Sequence, residues 1–163
     1  KIVHQAHDLK IPFVTGTTGF TSTQLKKLQL LSKKIPILQS YNMSVGVNVV
    51  LKILKENISY FETTDIEITE KHHKNKIDSP SGTAILIGNT IQKSAKKKFE
   101  ISISSIRQGN IVGEHTIVSF GNKENIYITH EAIDRPIFAN GALMMGKELL
   151  KKRKGFYSVL DLL

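Results

Sequence analysis

The order of β-favouring and helical segments in the first third of the chain limits the fold more than any other feature. An apolar run at 11–15 is followed by a Gly-Thr-Thr-Gly turn and a helical pattern, and a second run at 35–40 leads to a helical pattern over 45–58. Strand–helix–strand–helix order is typical of α/β folds. Such sheets bind ligands at the carboxyl ends of their strands, which predicts ligand contacts at 16–19 and 40–43.

The rest of the chain has the mixed pattern of an α+β domain. Residues 64–70 alternate between polar and apolar, which is typical of a half-buried strand, and cap residues after position 78 predict a helix. Three β-favouring runs follow, separated by turn-rich segments: 100–106, 111–120 and 125–130. These runs favour a meander of consecutive paired strands. A last helix is predicted from Arg135, ending at 155–157, and an apolar tail at 158–163 is expected to pack down.

Composition excludes several kinds of protein. The 163 residues are 40% hydrophobic and 23% charged, which is enough for a folded core, and the absence of cysteine excludes thiol catalysis, thiolate zinc sites and disulfides. No apolar run approaches the ~20 residues of a membrane helix, and residues 1–10 lack the apolar core of a signal peptide. We therefore expect a soluble, cytoplasmic protein. Because the first residue is Lys1 rather than Met, we also expect a missing N-terminal part.

The charge is strongly basic and is carried mostly by lysine. The net charge of +9 comes from 23 Lys and Arg against 14 Asp and Glu, and the three arginines are Arg107, Arg135 and Arg153. Proteins that read nucleic acids usually use arginine for bidentate contacts, so this balance argues against specific readout. A basic field of this kind attracts anionic substrates or cofactors.

The densest group of chemically useful residues is the run from Glu70 to Thr83. It places two imidazoles and Lys76 at a strand-to-helix junction, where backbone N–H groups and the positive helix end favour carboxylates. Because adjacent side chains on extended backbone point opposite ways, His72 and His73 are predicted to differ in role. A lysine crowded by other cations is also a better proton donor. A solvated loop before an ordinary capped helix would have the same composition.

Two further patterns in the sequence are weaker. His72, His73 and His130 could ligate a metal, but their spacing matches no recognised zinc motif, and no metal is predicted. The turn at 16–19 could present backbone amides to a cofactor, although glycine and threonine are also common in plain turns.

Five blocks, in this order, resemble the 4-hydroxy-tetrahydrodipicolinate reductase family, also called dihydrodipicolinate reductase. The diagnostic block is His-His-x-x-Lys-x-Asp-x-Pro-Ser-Gly-Thr at 72–83. The other four blocks are Gly16–Phe20, Asn42–Asn48, Gly109–Thr116 and Phe138–Ala142. The resemblance runs through nearly the whole chain.

The resemblance implies an α/β plus α+β fold in three segments. Residues 1–43 would be the C-terminal remnant of a Rossmann-like nucleotide-binding domain. Residues 44–134 would form a substrate-binding and oligomerisation domain with an open mixed β-sheet and flanking helices. Residues 135–163 would be a helix and tail that return to the nucleotide-binding lobe.

The resemblance also implies a role for each candidate site residue. It assigns acid–base catalysis to His72 and Lys76. It assigns the substrate carboxylates to His73, Ser81, Gly82 and Thr83. It assigns nicotinamide contacts to two loops: Gly16, Thr17 and Thr18, with Ser40, Tyr41, Asn42 and Met43. The chemistry agrees with the residues, because hydride addition to a conjugated ring leaves a carbanion equivalent that needs a proton, and a dianionic substrate needs cations and helix-terminus amides.

The sequence departs from the family in two places. The family begins with a strand, a G-x-G-x-x-G turn and a helix that hold the cofactor pyrophosphate, and this sequence has no such run, which indicates N-terminal truncation. Many relatives also carry a longer insertion, rich in Gly and Arg, before the residue equivalent to Gly109, where this chain has one short strand at 99–107.

By resemblance, the chain is expected to use NADH or NADPH to reduce 4-hydroxy-tetrahydrodipicolinate to tetrahydrodipicolinate in lysine and diaminopimelate biosynthesis. The expected partners are this small cyclic dicarboxylate and further copies of the chain, since the family is tetrameric, with no nucleic acid and no membrane. Two alternatives stay open: an inactive fragment that serves only as an oligomerisation or dicarboxylate-binding module, and a basic nucleic-acid-binding domain.

Overall fold

Six α-helices and seven strands make up the protein, and the computed structural model describes all of residues 1–163. The helices are α1 (Ile2–Asp8), α2 (Ser22–Leu31), α3 (Val45–Glu56), α4 (Ile58–Phe61), α5 (Gly82–Ser94) and α6 (Pro136–Leu149). The strands are β1 (Phe13–Thr15), β2 (Pro36–Gln39), β3 (Asp65–His72), β4 (Ile101–Arg107), β5 (Gly113–Phe120), β6 (Asn125–Ala132) and β7 (Gly155–Tyr157). None of the helices combines the length and the apolar character needed to span a membrane.

The chain divides into two units, Lys1–Asn48 with Pro136–Leu163 and Val49–Arg135. The assignment of nucleotide binding to residues 1–43, of substrate binding to 44–134 and of a returning helix to 135–163 stays a prediction.

The first unit is built on a three-stranded parallel sheet in the order β1-β2-β7. Ile37 and Leu38 are adjacent on β2 and therefore point to opposite faces, and both are fully buried. Ile37 packs with Ala6 of α1, whereas Leu38 packs with Met145 and Leu149 of α6. Burial of both faces is typical of a parallel sheet covered by helices. The predicted α/β arrangement of this part is confirmed.

Two elements of the first unit differ from the sequence-based expectation. Residues 155–157 were expected only to end the last helix, but they form β7 and pair with β2 in the register Leu38↔Tyr157. Helix α1 was not predicted. Both are short segments whose structure depends on packing against β2 more than on local propensity.

The second unit contains a four-stranded mixed sheet in the order β4-β3-β5-β6. β3 is parallel to β4 and antiparallel to β5, and β5 and β6 form an antiparallel hairpin. The predicted meander is wrong for β4, which lies on the other side of β3 from β5. The reason is that α5 connects β3 to β4, and a helical crossover joins parallel strands. The open mixed sheet that the resemblance implied is confirmed.

The two faces of β3 differ in burial, and this difference positions the site. Ile66, Ile68, Glu70 and His72 alternate along the strand and are buried. Helix α5 covers this face, where a Cβ atom added at Gly88 would lie 3.7 Å from the Ile68 side chain. The buried face of β3 therefore begins as apolar core and ends in two polar side chains beside the start of α5.

Candidate active site

Glu70 is the centre of a buried polar cluster in the second unit. Its side chain is fully buried and accepts hydrogen bonds from Arg107 at 2.6 and 2.9 Å and from the backbone N–H of Ser81 at 3.1 Å. His72 Nδ1 lies 2.5 Å from Glu70 Oε2. Burial by itself would raise the pKa of Glu70, but these hydrogen bonds, with one from Ser105, outweigh it and lower the pKa to about 2. Glu70 is therefore an ionised carboxylate in the interior.

Strand register assembles this cluster. His72 is the pairing partner of Arg107 on β4, and Glu70 is the partner of His115 on β5. Paired residues of neighbouring strands point to the same face of a sheet. The three strands thus bring an acid, a guanidinium and two imidazoles to one buried patch.

The His72 ring occupies space that a glycine leaves open. A Cβ atom at Gly113 would lie 2.9 Å from His72 Nε2, and the His72 and His115 rings contact edge to face with centroids 5.2 Å apart. Burial, and then the charges of Lys76 and Arg107, lower the pKa of His72, while Glu70 acts in the opposite direction. His72 is consequently neutral at neutral pH, with its Nδ1 beside the Glu70 carboxylate.

The start of α5 lies beside this cluster. Ser81 is the N-cap, and its Oγ accepts from the Ala84 backbone N–H at 3.1 Å and lies 3.0 Å from His115 Nε2. Gly82 and Thr83 form the first turn, where backbone N–H groups and the helix dipole favour a carboxylate. The predicted helix start with its cap residues is confirmed.

Lys76 lies in the loop between β3 and α5, and its ammonium group pairs with Asp78 at 2.7 Å. The hydrogen bond from Lys76 lowers the pKa of Asp78, and it outweighs burial, which acts in the opposite direction. Arg107 also donates to the Asp78 carbonyl oxygen at 2.8 Å. A continuous chain of contacts therefore runs from Lys76 through Asp78 and Arg107 to Glu70 and His72.

The two adjacent histidines occupy different environments. His72 ends β3 and is buried, whereas His73 follows the strand and is half-buried. The backbone of His73 is fixed on both sides, since its N–H donates to the Ile111 carbonyl at 2.7 Å and its carbonyl accepts from Lys76 at 3.1 Å. The loop is thus held in place while the His73 ring keeps access to solvent.

Sequence reasoning missed three members of this cluster: Glu70, Arg107 and His115. Glu70 begins the run 70–83 that is densest in chemically useful residues but received no role, although the alternation of β3 places it on the buried face, where an acid requires a partner. Arg107 lies on β4 and His115 on β5, and these strands become neighbours of β3 only when the sheet forms. Gly113 on β5 packs closely against the His72 ring.

The loops predicted to contact a cofactor lie in the first unit. They follow β1 and β2, which are adjacent parallel strands, and the Ser40 N–H donates to the Thr15 carbonyl at 3.1 Å. Thr15 Oγ1 donates to Thr17 Oγ1 at 3.1 Å, and Ser40 Oγ donates to the Asn42 carbonyl at 2.7 Å. Asn42 is buried, whereas Tyr41 is half-exposed. The structure thus brings the two predicted loops to the same edge of one sheet.

No group of three or more His, Cys, Asp or Glu side chains is arranged to hold a metal ion. The fold and the cluster together define an α/β protein whose second unit carries a buried cluster of a carboxylate, a guanidinium and two imidazoles beside a helix start. The family model described as dihydrodipicolinate reductase, C-terminus, matches residues 46–163, and that described as dihydrodipicolinate reductase, N-terminus, matches residues 1–43. The chain belongs to the dihydrodipicolinate reductase family.

Individual relatives agree with this placement. The chain is 45% identical to a protein named 4-hydroxy-tetrahydrodipicolinate reductase from Buchnera aphidicola subsp. Cinara cedri, over 92% of this chain and 62% of that protein. It is 40% identical to one of the same name from Clostridium novyi, over 99% of this chain and 71% of that protein. The chain therefore spans about two thirds of the length of these relatives.

A solved structure shows the same fold. It is the dipicolinate-bound dihydrodipicolinate reductase from Paenisporosarcina sp. TG-14, which matches with a TM-score of 0.85 and 23% sequence identity, over 99% of this chain and 68% of that chain. The predicted fold class and family resemblance are confirmed.

Proposed function

We propose that this protein is an NAD(P)H-dependent 4-hydroxy-tetrahydrodipicolinate reductase that acts in lysine and diaminopimelate biosynthesis. The observation that carries the proposal is the buried Glu70–His72 pair beside the Ser81 helix start, in a chain of this family. Conversion of 4-hydroxy-tetrahydrodipicolinate to tetrahydrodipicolinate removes the hydroxyl as water and adds one hydride and one proton. The protein must therefore bind two carboxylates and supply a proton.

The substrate carboxylates are assigned to the helix start and to His73. The substrate carries two negative charges, and the N-terminal turn of α5 offers the positive end of the helix dipole with the amides of Gly82 and Thr83. Ser81 caps this helix start with a hydroxyl that also contacts His115, and His73 contributes a half-buried ring. The bound ligand of the Paenisporosarcina enzyme, dipicolinate, is a planar dicarboxylate, and we expect the same class of ligand here.

Acid–base work is assigned to His72 and Lys76. Addition of a hydride to the conjugated ring leaves electron density that must take up a proton, and positioned His and Lys side chains are suited to that transfer. Lys76 carries the proton as an ammonium, and Asp78 holds it at 2.7 Å in the loop beside α5. His72 is neutral and has one ring nitrogen directed away from Glu70.

The nicotinamide is assigned to the loops after β1 and β2, and when bound it supplies the hydride. Polar turns at the carboxyl ends of adjacent parallel strands are where α/β sheets hold such groups, and a hydrogen bond from Ser40 to Thr15 keeps the two loops together. The contacts are assigned to Gly16, Thr17 and Thr18, with Ser40, Tyr41, Asn42 and Met43. Either NADH or NADPH fits this assignment, because the two loops are assigned to the nicotinamide, which both cofactors share.

We further propose a cytoplasmic location and a homotetramer assembled through the four-stranded sheet. The face of this sheet opposite α5 carries exposed aromatic side chains at its margins, including Phe120 and Tyr127.

A second candidate function is a module that binds a dicarboxylate without turnover. The groups assigned to the dicarboxylate, His73 and the start of α5, all lie in the second unit, so binding without turnover needs residues of that unit alone.

Substrate-dependent oxidation of NADH or NADPH by the purified chain tests the proposal. We expect turnover with at least one of the two cofactors, and we expect it to require 4-hydroxy-tetrahydrodipicolinate. A folded chain that binds the dicarboxylate but turns over with neither cofactor would refute the reductase assignment and leave the binding module.

A further inference from the structure

The Glu70 carboxylate is surrounded by donors, and this fixes the proton on His72. Oε1 accepts from Arg107 and from the Ser81 N–H, and Oε2 accepts from Arg107. Ser105 also donates to this carboxylate, and the last neighbour is His72 Nδ1, at 2.5 Å from Oε2. An ionised carboxylate can only accept hydrogen bonds, so Nδ1 must be the donor. In a neutral ring, Nε2 then has no proton and holds the free lone pair.

Nε2 is the atom of His72 that remains available for chemistry. One tenth of the His72 side-chain surface is exposed to solvent. On the opposing strand, residue 113 is glycine, so no side chain projects from that position towards Nε2. The ionisable groups around the ring are Glu70, Lys76, Arg107 and His115. Of these, Glu70 alone is anionic.

We propose that Glu70 is a positioning residue for the reaction: it holds His72 as the Nδ1–H tautomer and orients the ring so that Nε2 accepts and returns the proton. This inference rests on the proposed function of the site. An anion at Nδ1 also stabilises the imidazolium that forms when Nε2 takes up a proton. His72 therefore takes up at Nε2 the ring-carbon proton that is lost when the hydroxyl leaves, and the ammonium of Lys76 gives that hydroxyl the proton with which it departs as water. After hydride addition, Nε2 returns its proton to the ring carbon that carries the electron density.

Arg107 keeps Glu70 in the state that this role requires. A buried carboxylate without a partner would become protonated, and a protonated Glu70 could donate to Nδ1 and reverse the tautomer. The two hydrogen bonds from Arg107 prevent this. The same guanidinium donates to the Asp78 carbonyl, which connects the positioning of His72 with that of the Lys76 loop.

Glu67 provides a matched control on the same strand. It points to the opposite face of β3, where its carboxylate accepts from the hydroxyls of Ser104 at 2.9 Å and Thr69 at 3.3 Å. Glu67→Gln and Glu70→Gln each replace a carboxylate of β3 by an amide. Only Glu70→Gln changes the group that contacts His72.

The test is the ¹⁵N NMR spectrum of the His72 ring, recorded above its pKa, together with steady-state kinetics. In the unmodified protein we expect a protonated Nδ1 and an unprotonated Nε2. In Glu70→Gln the amide NH₂ can face Nδ1, so we expect the proton to move to Nε2 and kcat to fall by about 10²–10⁴-fold, the usual contribution of a proton-transfer group. Glu67→Gln should change neither quantity.

An unmodified protein with the proton on Nε2 would overturn the inference, and this result does not depend on whether Glu70→Gln folds. A folded Glu70→Gln with full kcat would also overturn it. Absence of turnover in the unmodified protein would instead refute the proposed function, while the tautomer would still be read from the spectrum.

Discussion

At the scale of single residues, the clearest prediction concerns the proton-transfer roles proposed for His72 and Lys76. We expect His72→Ala and Lys76→Ala each to lower kcat by about two orders of magnitude or more, because each removes a group that carries the transferred proton. Lys74→Ala is the control, since Lys74 is an exposed lysine in the same loop and has no assigned role. Steady-state assays of the three variants decide the point, and unchanged turnover in both site variants would refute the site assignment.

His115 makes the stability of the protein depend on pH. Burial, followed by the neighbouring His72, lowers the pKa of His115 to about 4 from the ordinary value of 6.5. The unfolded chain therefore binds a proton at a pH where the folded chain does not, so the free energy of unfolding decreases as the pH falls from about 6.5 to about 4. This contribution is fully present above pH 6.5.

The measurement is the urea midpoint as a function of pH. We expect His115→Gln to have a flatter profile between about pH 6.5 and 4 than the unmodified protein. His4→Gln, which changes a half-buried histidine on α1, should keep the original slope. A His115→Gln profile as steep as that of the unmodified protein would mean that other groups carry the effect.

At the scale of elements, α6 makes a contact in the first unit that only glycine permits. A Cβ atom at Gly141 would lie 1.9 Å from the Met43 carbonyl oxygen, so α6 would have to move away from this backbone. We expect Gly141→Ala to lower the free energy of unfolding by about 2 kcal/mol or more, because a close-packed contact is replaced by a clash.

Gly146 is the matched control for this contact, since it lies on the same helix. A Cβ atom there would meet Val14 at 3.8 Å, an ordinary van der Waals distance. Gly146→Ala should be neutral or stabilise the protein by up to about 1 kcal/mol, because alanine is the better helix former. Thermal unfolding of both variants gives the comparison, and equal effects would argue against a specific role for Gly141.

Particular elements show how far the sequence determines the fold and the site. The alternation of residues 64–70 and the cap at Ser81 were sufficient to predict β3 and α5, because both signals are local. The position of β4 could not be predicted in this way, because β4 pairs with a strand that precedes it by a whole helix. The same limit applies to the site: His72 and Ser81 lie in one contiguous run, whereas Arg107 and His115 join it only through strand register.

At the scale of the whole molecule, the net charge of +9 agrees with a dianionic substrate and an anionic cofactor. A basic surface raises the local concentration of anions and speeds their association at low salt. This effect does not distinguish a reductase from a module that only binds dicarboxylates. The two functions differ in whether binding of the dicarboxylate is coupled to a nicotinamide cofactor.

Calorimetric titration of the purified chain with pyridine-2,6-dicarboxylate, in the absence and presence of NADH or NADPH, tests the central claim most directly. We expect one dicarboxylate per chain, tighter binding when the cofactor is present, and at least about tenfold weaker binding in His73→Ala and Ser81→Ala, the scale of a lost hydrogen bond to a charged group. Binding that neither cofactor strengthens would favour the non-catalytic module. A folded chain that binds no dicarboxylate, even with both cofactors tested, would contradict the account.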